Sequence, residues 1–419
     1  MLEYSGEKLN VFQGLSPKSL IKRYGSPLYV YNEKIIRENC RKMKSLVSYH
    51  NFNVHYSAKA NSNLAILQII RDEGLMVDAM SPGEIFAEME VGFTPKQILY
   101  VANNVKKEDM LYAIERGILM SIDSISQLEQ YGELNPGSKV ALRFNPGVGD
   151  GHNKKTITAG KGTKFGIEIS IENIVQIREI CKKFHIKIVG VHMHIGSLFT
   201  NSAVFIESVK IICGVSRNFD DLDFIDLGGG FGVPYRKQEG EEGLNLPKLR
   251  EDLDQLLYAF ARIYGKDIEF KIEPGRFIVA ESSAILGTVT SIKRNYGIKF
   301  VGTDIGFNAF LRPAMYDAHH DIEIFSQSKG PKLVEKVHIV GNICENSDNL
   351  GENRMIPQTK EGNIVAVMDT GAYGHVMSSN YNNMLRPAQV LIRHNSQPVL
   401  IRERDRIEDL ISKDIPIEL

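Results

Sequence analysis

Lys59 lies in Tyr56-Ser57-Ala58-Lys59-Ala60-Asn61, directly after an apolar run over 52–56 that reads as a β-strand. A lysine at the end of a buried strand loses hydration, which disfavours its ammonium form and should lower its pKa. A neutral amine is what Schiff-base chemistry requires. A surface lysine opening a loop is the plain alternative, so the case depends on what else the chain gathers at such strand ends.

Four further clusters could do chemistry. Asp226-Leu227-Gly228-Gly229-Gly230-Phe231-Gly232 resembles a dinucleotide fingerprint, but Val233 occupies the third glycine position. Backbone N–H groups unhindered by side chains can instead wrap a phosphate, and Glu273-Pro274-Gly275-Arg276 could complete that cradle. A pair of tight turns is the alternative. His192-Met193-His194-Ile195-Gly196-Ser197 holds two histidines that would share a strand face and could chelate a metal. No cysteine or third histidine joins them and nearby carboxylates are sparse, so no metal is expected. His194 could stack on an aromatic cofactor with Ser197 donating to phosphate, while core packing suits His192. A carboxylate such as Glu273 facing a pyridine nitrogen keeps it protonated, which makes the ring an electron sink; a salt bridge to Arg143 is the competing use. Cys344, followed by Glu345, has no evident thiolate stabiliser and would stay protonated, although a buried structural cysteine is the simpler reading. Arg312, in Leu311-Arg312-Pro313-Ala314-Met315-Tyr316, could grip a carboxylate bidentately or form a domain-interface ion pair. Gly371-Ala372-Tyr373 adds a hydroxyl donor.

The elements that must position these groups follow a rhythm. Eight β-rich runs are predicted, at 52–56, 76–80, 97–101, 118–122, 139–144, 188–194, 224–227 and 268–272, most followed by a helical pattern. Ser81-Pro82-Gly83-Glu84 reads as a capping box with proline in the first turn, opening a helix through Glu90. Alternation implies a parallel sheet, and eight units imply a closed (β/α)8 TIM-type barrel over 32–280. Lys59, Asp78, Arg143, Asn145, His194, the triple glycine and Glu273 fall at the carboxyl ends of those strands, where such a barrel carries its chemistry. Beyond 280 short β-like runs appear at 284–292, 336–340, 364–368 and 389–392, without regular helices. They predict a mostly β domain from 281–419, joined by 1–31. Residues 149–164 read as a mobile loop on the catalytic face.

The 419 residues carry 50 basic and 51 acidic side chains, so no charge imbalance points to nucleic acid. The opening Met1–Lys8 is too polar for a signal peptide, and no apolar run reaches membrane-spanning length. Four cysteines without metal-type spacing suit a reducing, cytoplasmic setting.

Taken together, these motifs resemble, over nearly the whole chain, the pyridoxal-phosphate decarboxylases built on an alanine-racemase-type barrel. The resemblance implies that Lys59 holds pyridoxal 5'-phosphate and that His194 stacks on its ring. Glu273 contacts the pyridine nitrogen, and Asp78 and Arg143 line the cofactor. Gly228, Gly229, Gly230, Gly275, Arg276, Ser197 and Tyr373 surround the phosphate. Cys344 is the proton donor, supplied by the partner subunit of a homodimer with shared active sites. Arg276, Arg312, Tyr316, Glu345 and Tyr373 bind the distal end of the substrate. That set matches members acting on meso-2,6-diaminopimelate, which yields L-lysine and carbon dioxide.

The chain departs from the family pattern at Met193, at Phe307-Asn308-Ala309, at His319 and at Ala159-Gly160. A decarboxylase for ornithine, lysine or arginine would not need Arg276 and Arg312 as a carboxylate clamp. A racemase of this class places an arginine on the pyridine nitrogen, where Glu273 stands here. A cofactor-carrying binding protein would lack the β domain.

Overall fold

The structure is a computed structural model that describes residues 11–151, 157–326 and 333–417. The polar opening Met1–Lys8, and residues 152–156 of the expected 149–164 loop, lie outside the described residues. The chain divides into two compact units.

The larger unit comprises residues 37–234 and 242–278. Its eight parallel strands are Phe52–Ser57, Met76–Ala79, Ile98–Tyr100, Leu119–Ile122, Lys139–Asn145, Lys187–His192, Phe224–Asp226 and Glu269–Ile272. Each pairs with the next, and the eighth returns to the first with Phe270 opposite Phe52 and Ile272 opposite Val54, so the sheet closes into a barrel. A two-residue strand, Ile167–Glu168, hangs beside the fifth. Leu99, Val101, Ala141, Val189 and Phe224 pack together in the interior. These inward residues come from alternate positions of different strands, as the two-residue strand period requires.

The helices form where local chemistry favours them. Leu64–Asp72 starts at Asn63, whose side chain accepts from the Ala65 amide, and buries Ile66, Leu67, Ile69 and Ile70 against the barrel. Leu246–Tyr264 is capped by Asn245, carries proline in its first turn and buries Leu249, Leu253, Leu257 and Phe260 at three- to four-residue spacing. Gly265 ends it at φ +74°, a conformation glycine adopts without cost. The helix Pro82–Glu90 begins at Ser81, whose hydroxyl accepts from the Glu84 amide at 3.3 Å. The reciprocal half of the expected box is shifted: the Glu84 carboxylate takes the amide of Met80, at 2.7 Å, rather than that of Ser81.

The sixth strand was expected to run to residue 194 but stops at His192. Its neighbour Phe224–Asp226 ends there, and after the Met193 amide bonds to the Asp226 carbonyl no ladder partner remains.

The second unit comprises residues 1–36, 235–241 and 279–419. Among the described residues it holds nine strands in one sheet. Leu28–Asn32 runs between Ser283–Asn295, antiparallel, and Ala388–Ile392, parallel. Leu28, Val30, Ala284, Leu286, Ala366 and Val390 form its core. Five of these strands lie outside the β-like runs expected from sequence: Leu28–Asn32, Ile298–Thr303, Ile322–Phe325, Asn349–Pro357 and Pro398–Arg402. Asn349–Pro357 shows why, since Glu352 and Asn353 face solvent and the hydrophobic alternation is diluted. A short helix, Arg312–Tyr316, is an exception to the expected run of strands.

Candidate active site

The barrel strands deliver their polar groups to one mouth. Lys59 sits on a single helical turn, Ala58–Ala60, that follows the first strand; it is partly exposed between two buried alanines. Its Nζ lies 3.9 Å from the Met80 sulfur. Its charge is close enough to Asp78, Glu84 and Glu273 to favour the ionised form of each.

Glu273 and Asp78 are buried at the mouth, and burial pushes both carboxyl pKa values up. The Glu273 charge pushes Asp78 further in the same direction, whereas Lys59, Arg143 and a hydrogen bond from Asp78 pull Glu273 back. The Ser57 hydroxyl holds Asp78 at 2.8 Å. Arg143 acts on Glu273 at longer range than the direct salt bridge considered from sequence; its guanidinium lies over the Phe165 ring, 5.1 Å from the centroid.

His194 accepts a hydrogen bond at Nδ1 from the Gly229 amide, 3.0 Å away. Burial, then the charges of Lys59 and Arg143, hold its pKa well below the ordinary histidine value. The ring is therefore neutral, with its proton on Nε2.

His192 is packed in the barrel, as expected. The carboxylates beside it are not sparse, however: His192, Asp226 and Glu273 bring ligand-type atoms within 4.8 Å of one another. Burial depresses the His192 pKa to about 3 and raises that of Asp226 to about 7. Sequence missed the trio because its members come from three different strands.

The glycine clusters are required by close backbone approach. A β-carbon on Gly228, where φ is +70°, would lie 2.2 Å from the Met193 carbonyl oxygen. One on Gly275 would lie 2.9 Å from the Ser57 β-carbon. Of the triplet expected to surround a phosphate, two amides are engaged within the chain. The Gly228 amide donates to Asp226 at 2.9 Å and that of Gly229 to His194, because the loop folds back over both side chains. Among the described residues, the amides of Gly230 and Gly275 have no intramolecular acceptor. Arg276 donates to the Ser197 hydroxyl at 2.9 Å. Buried Glu273 Oε1 has no hydrogen-bond partner among the described residues. A lysine amine, a neutral imidazole face, a buried carboxyl group and paired amides beside Ser197 and Arg276 fit a phosphorylated pyridine aldehyde.

The β unit holds the remaining candidates. Cys344 is exposed, not buried, and its sulfur accepts from the Asn382 side chain at 3.0 Å. The Glu345 carboxylate accepts from the Tyr381 hydroxyl, and the Tyr381 ring stacks on Phe307 at 5.5 Å. Arg312 is buried and donates from Nε to His320 Nε2 at 3.1 Å; Tyr316 is half-buried on the same short helix. Tyr373 is held at φ +55°, a left-handed conformation uncommon for an aromatic residue. The segment holding Tyr381 and Asn382 reads in sequence as a source of polar donors, whereas sequence reasoning passed over His320, whose partners are fixed by the fold and carry no local motif.

Residues 33–280 match the family model for the pyridoxal binding domain of pyridoxal-dependent decarboxylases. A diaminopimelate decarboxylase of Methanothermobacter thermautotrophicus is 37% identical, aligned over 97% of this chain and 96% of its own. That of Escherichia coli K12 is 34% identical over 94% of each. The crystal structure of the Helicobacter pylori diaminopimelate decarboxylase complexed with L-lysine superposes with a TM-score of 0.87 at 28% identity, covering 95% of this chain and 98% of that one.

Proposed function

The chain belongs to the pyridoxal-dependent decarboxylases, and on that premise we propose that it converts meso-2,6-diaminopimelate to L-lysine and carbon dioxide through Lys59, His194, Glu273 and Cys344. The observation that carries this reading is the buried Glu273 carboxylate within reach of the Lys59 charge and 3.9 Å from His194 Nδ1 at the barrel mouth.

When bound, pyridoxal phosphate supplies an electron sink at the carbon that loses its carboxylate. The protein's own groups do the rest. Lys59 Nζ would hold the cofactor through its aldehyde. Glu273 would face the ring nitrogen and favour its protonated form, with Asp78, held by the Ser57 hydroxyl, as its neighbouring carboxyl group. His194 offers a neutral face for stacking. Gly230, Gly275, Ser197 and Arg276 take the phosphate, with Tyr373. Arg312, with Arg276, Tyr316, Glu345 and Tyr373, grips the distal amino-acid end and so sets which carboxylate stays. The Cys344 thiol delivers a proton to the carbon from which carbon dioxide has left. It comes from the partner subunit of a homodimer. We place the enzyme in the cytoplasm, where its four unpaired cysteines stay reduced.

The test is carbon dioxide release by protein loaded with pyridoxal phosphate, given meso-diaminopimelate, ornithine, lysine or arginine separately. Release with diaminopimelate, accompanied by lysine, is expected. Release only with one of the others would keep the Lys59 chemistry and remove Arg312 from the substrate site.

A further inference from the structure

His320 is fully buried in the β unit and touches the guanidinium proposed to hold the substrate's distal carboxylate. Its Nδ1 lies 2.8 Å from the Met368 carbonyl oxygen and its Nε2 lies 3.1 Å from Arg312 Nε. A carbonyl oxygen can only accept and an arginine Nε–H can only donate. Both bonds form together in one state of the ring: neutral, with the proton on Nδ1 and the lone pair of Nε2 turned to Arg312. An imidazolium would set an N–H against the Nε–H of a permanent cation.

The ring cannot turn away. It is wedged edge-on between Tyr235, at 4.7 Å and 63°, and Phe310, at 4.8 Å and 82°. Arg354 donates to the His320 carbonyl at 3.1 Å and so ties down its backbone. Met368 ends the core strand Ile364–Met368, and its amide bonds to the Asp321 carbonyl at 2.9 Å. The chain of contacts from that strand through His320 to Arg312 is therefore rigid. Tyr235 supports the guanidinium from a second direction, 4.9 Å below its carbon.

We infer that His320 is a positioning residue for Arg312: it occupies the Nε edge and turns the fork formed by the two terminal nitrogens toward a carboxylate. The inference rests on the reading of Arg312 as the substrate clamp. A fixed fork loses less side-chain freedom on binding than a mobile one, so affinity for a carboxylate ligand should depend on His320.

L-Lysine and cadaverine test this, since they differ by that carboxylate alone. Inhibition of the loaded enzyme by each is measured for wild type, His320→Leu, His320→Gln, His320→Asn and Arg312→Ala. His320→Leu should weaken L-lysine on the order of tenfold and leave cadaverine unchanged. Gln, whose amide oxygen can still reach Arg312, should restore most of the loss; Asn, too short to reach it, should not. Equal losses for both ligands, or no loss for L-lysine, overturn the inference. If His320→Leu does not load pyridoxal phosphate, the Gln and Asn variants decide, and equal behaviour of the two overturns it. An Arg312→Ala enzyme that still prefers L-lysine as wild type does would instead overturn the clamp reading.

Discussion

The amide of Gly229 donates to Nδ1 of His194 across 3.0 Å, and this one bond decides which ring nitrogen carries the proton. The imidazole stays neutral because burial and the neighbouring cations Lys59 and Arg143 oppose its charge. A neutral flat ring can stack on a cationic pyridine without repulsion. His194→Ala should weaken pyridoxal phosphate binding about tenfold or more, and His194→Phe should recover most of it. Absorbance titration with the cofactor measures both; equal losses would mean that stacking is not what His194 provides.

The charge of Lys59 reaches Asp78, Glu84 and Glu273 together at the mouth. Lys59→Ala should abolish the visible band of the lysine–cofactor adduct and cut turnover by about a thousandfold or more. Retained turnover with the band lost would remove Lys59 from the chemistry.

Glu273→Gln preserves shape and removes charge. Turnover should fall by about a hundredfold, while cofactor binding changes far less. The measurement is kcat beside the cofactor dissociation constant. Equal losses in both would make Glu273 a packing residue.

His375 supplies a stability test in the β unit. Burial, then the charge of Arg402, lowers its pKa from 6.5 to about 4, and its Nε2 sits 3.2 Å from the Pro387 carbonyl. The unfolded chain takes up this proton near pH 6.5 and the folded one only near pH 4. Folded-state stability is thus complete above pH 6.5 and is lost as pH falls toward 4, by ~3 kcal/mol. Urea unfolding at pH 7 and pH 4.5 should show a smaller difference in His375→Gln than in wild type. An unchanged difference would assign the acid sensitivity to other groups.

The barrel was legible because buried parallel strands are short apolar runs at regular spacing, and Asn63 and Ser81 mark helix starts by side-chain type alone. The strands Asn349–Pro357 and Pro398–Arg402 were not, since half-exposed strands dilute the alternation. Lys59 and Glu273 could be named as candidates from strand-end position. The inward turn of the Gly228 and Gly229 amides could not, because the Gly229 acceptor lies 35 residues away in sequence. The shift of the Glu84 carboxylate to Met80, one residue before the capping serine, is likewise a matter of loop path rather than composition.

The pairing of Phe270 with Phe52 also bears on biosynthesis. The Ser57 hydroxyl and the Glu273 carbonyl meet at 3.2 Å although 216 residues separate them. A nascent chain on the ribosome holds seven strands with two raw edges until the eighth emerges, and closing so long a loop is slow. No truncated chain that ends before Glu269 can assemble the mouth. Acquisition of pyridoxal phosphate would therefore mark completion of the ring, and apo chains in a cell would include those still waiting to close.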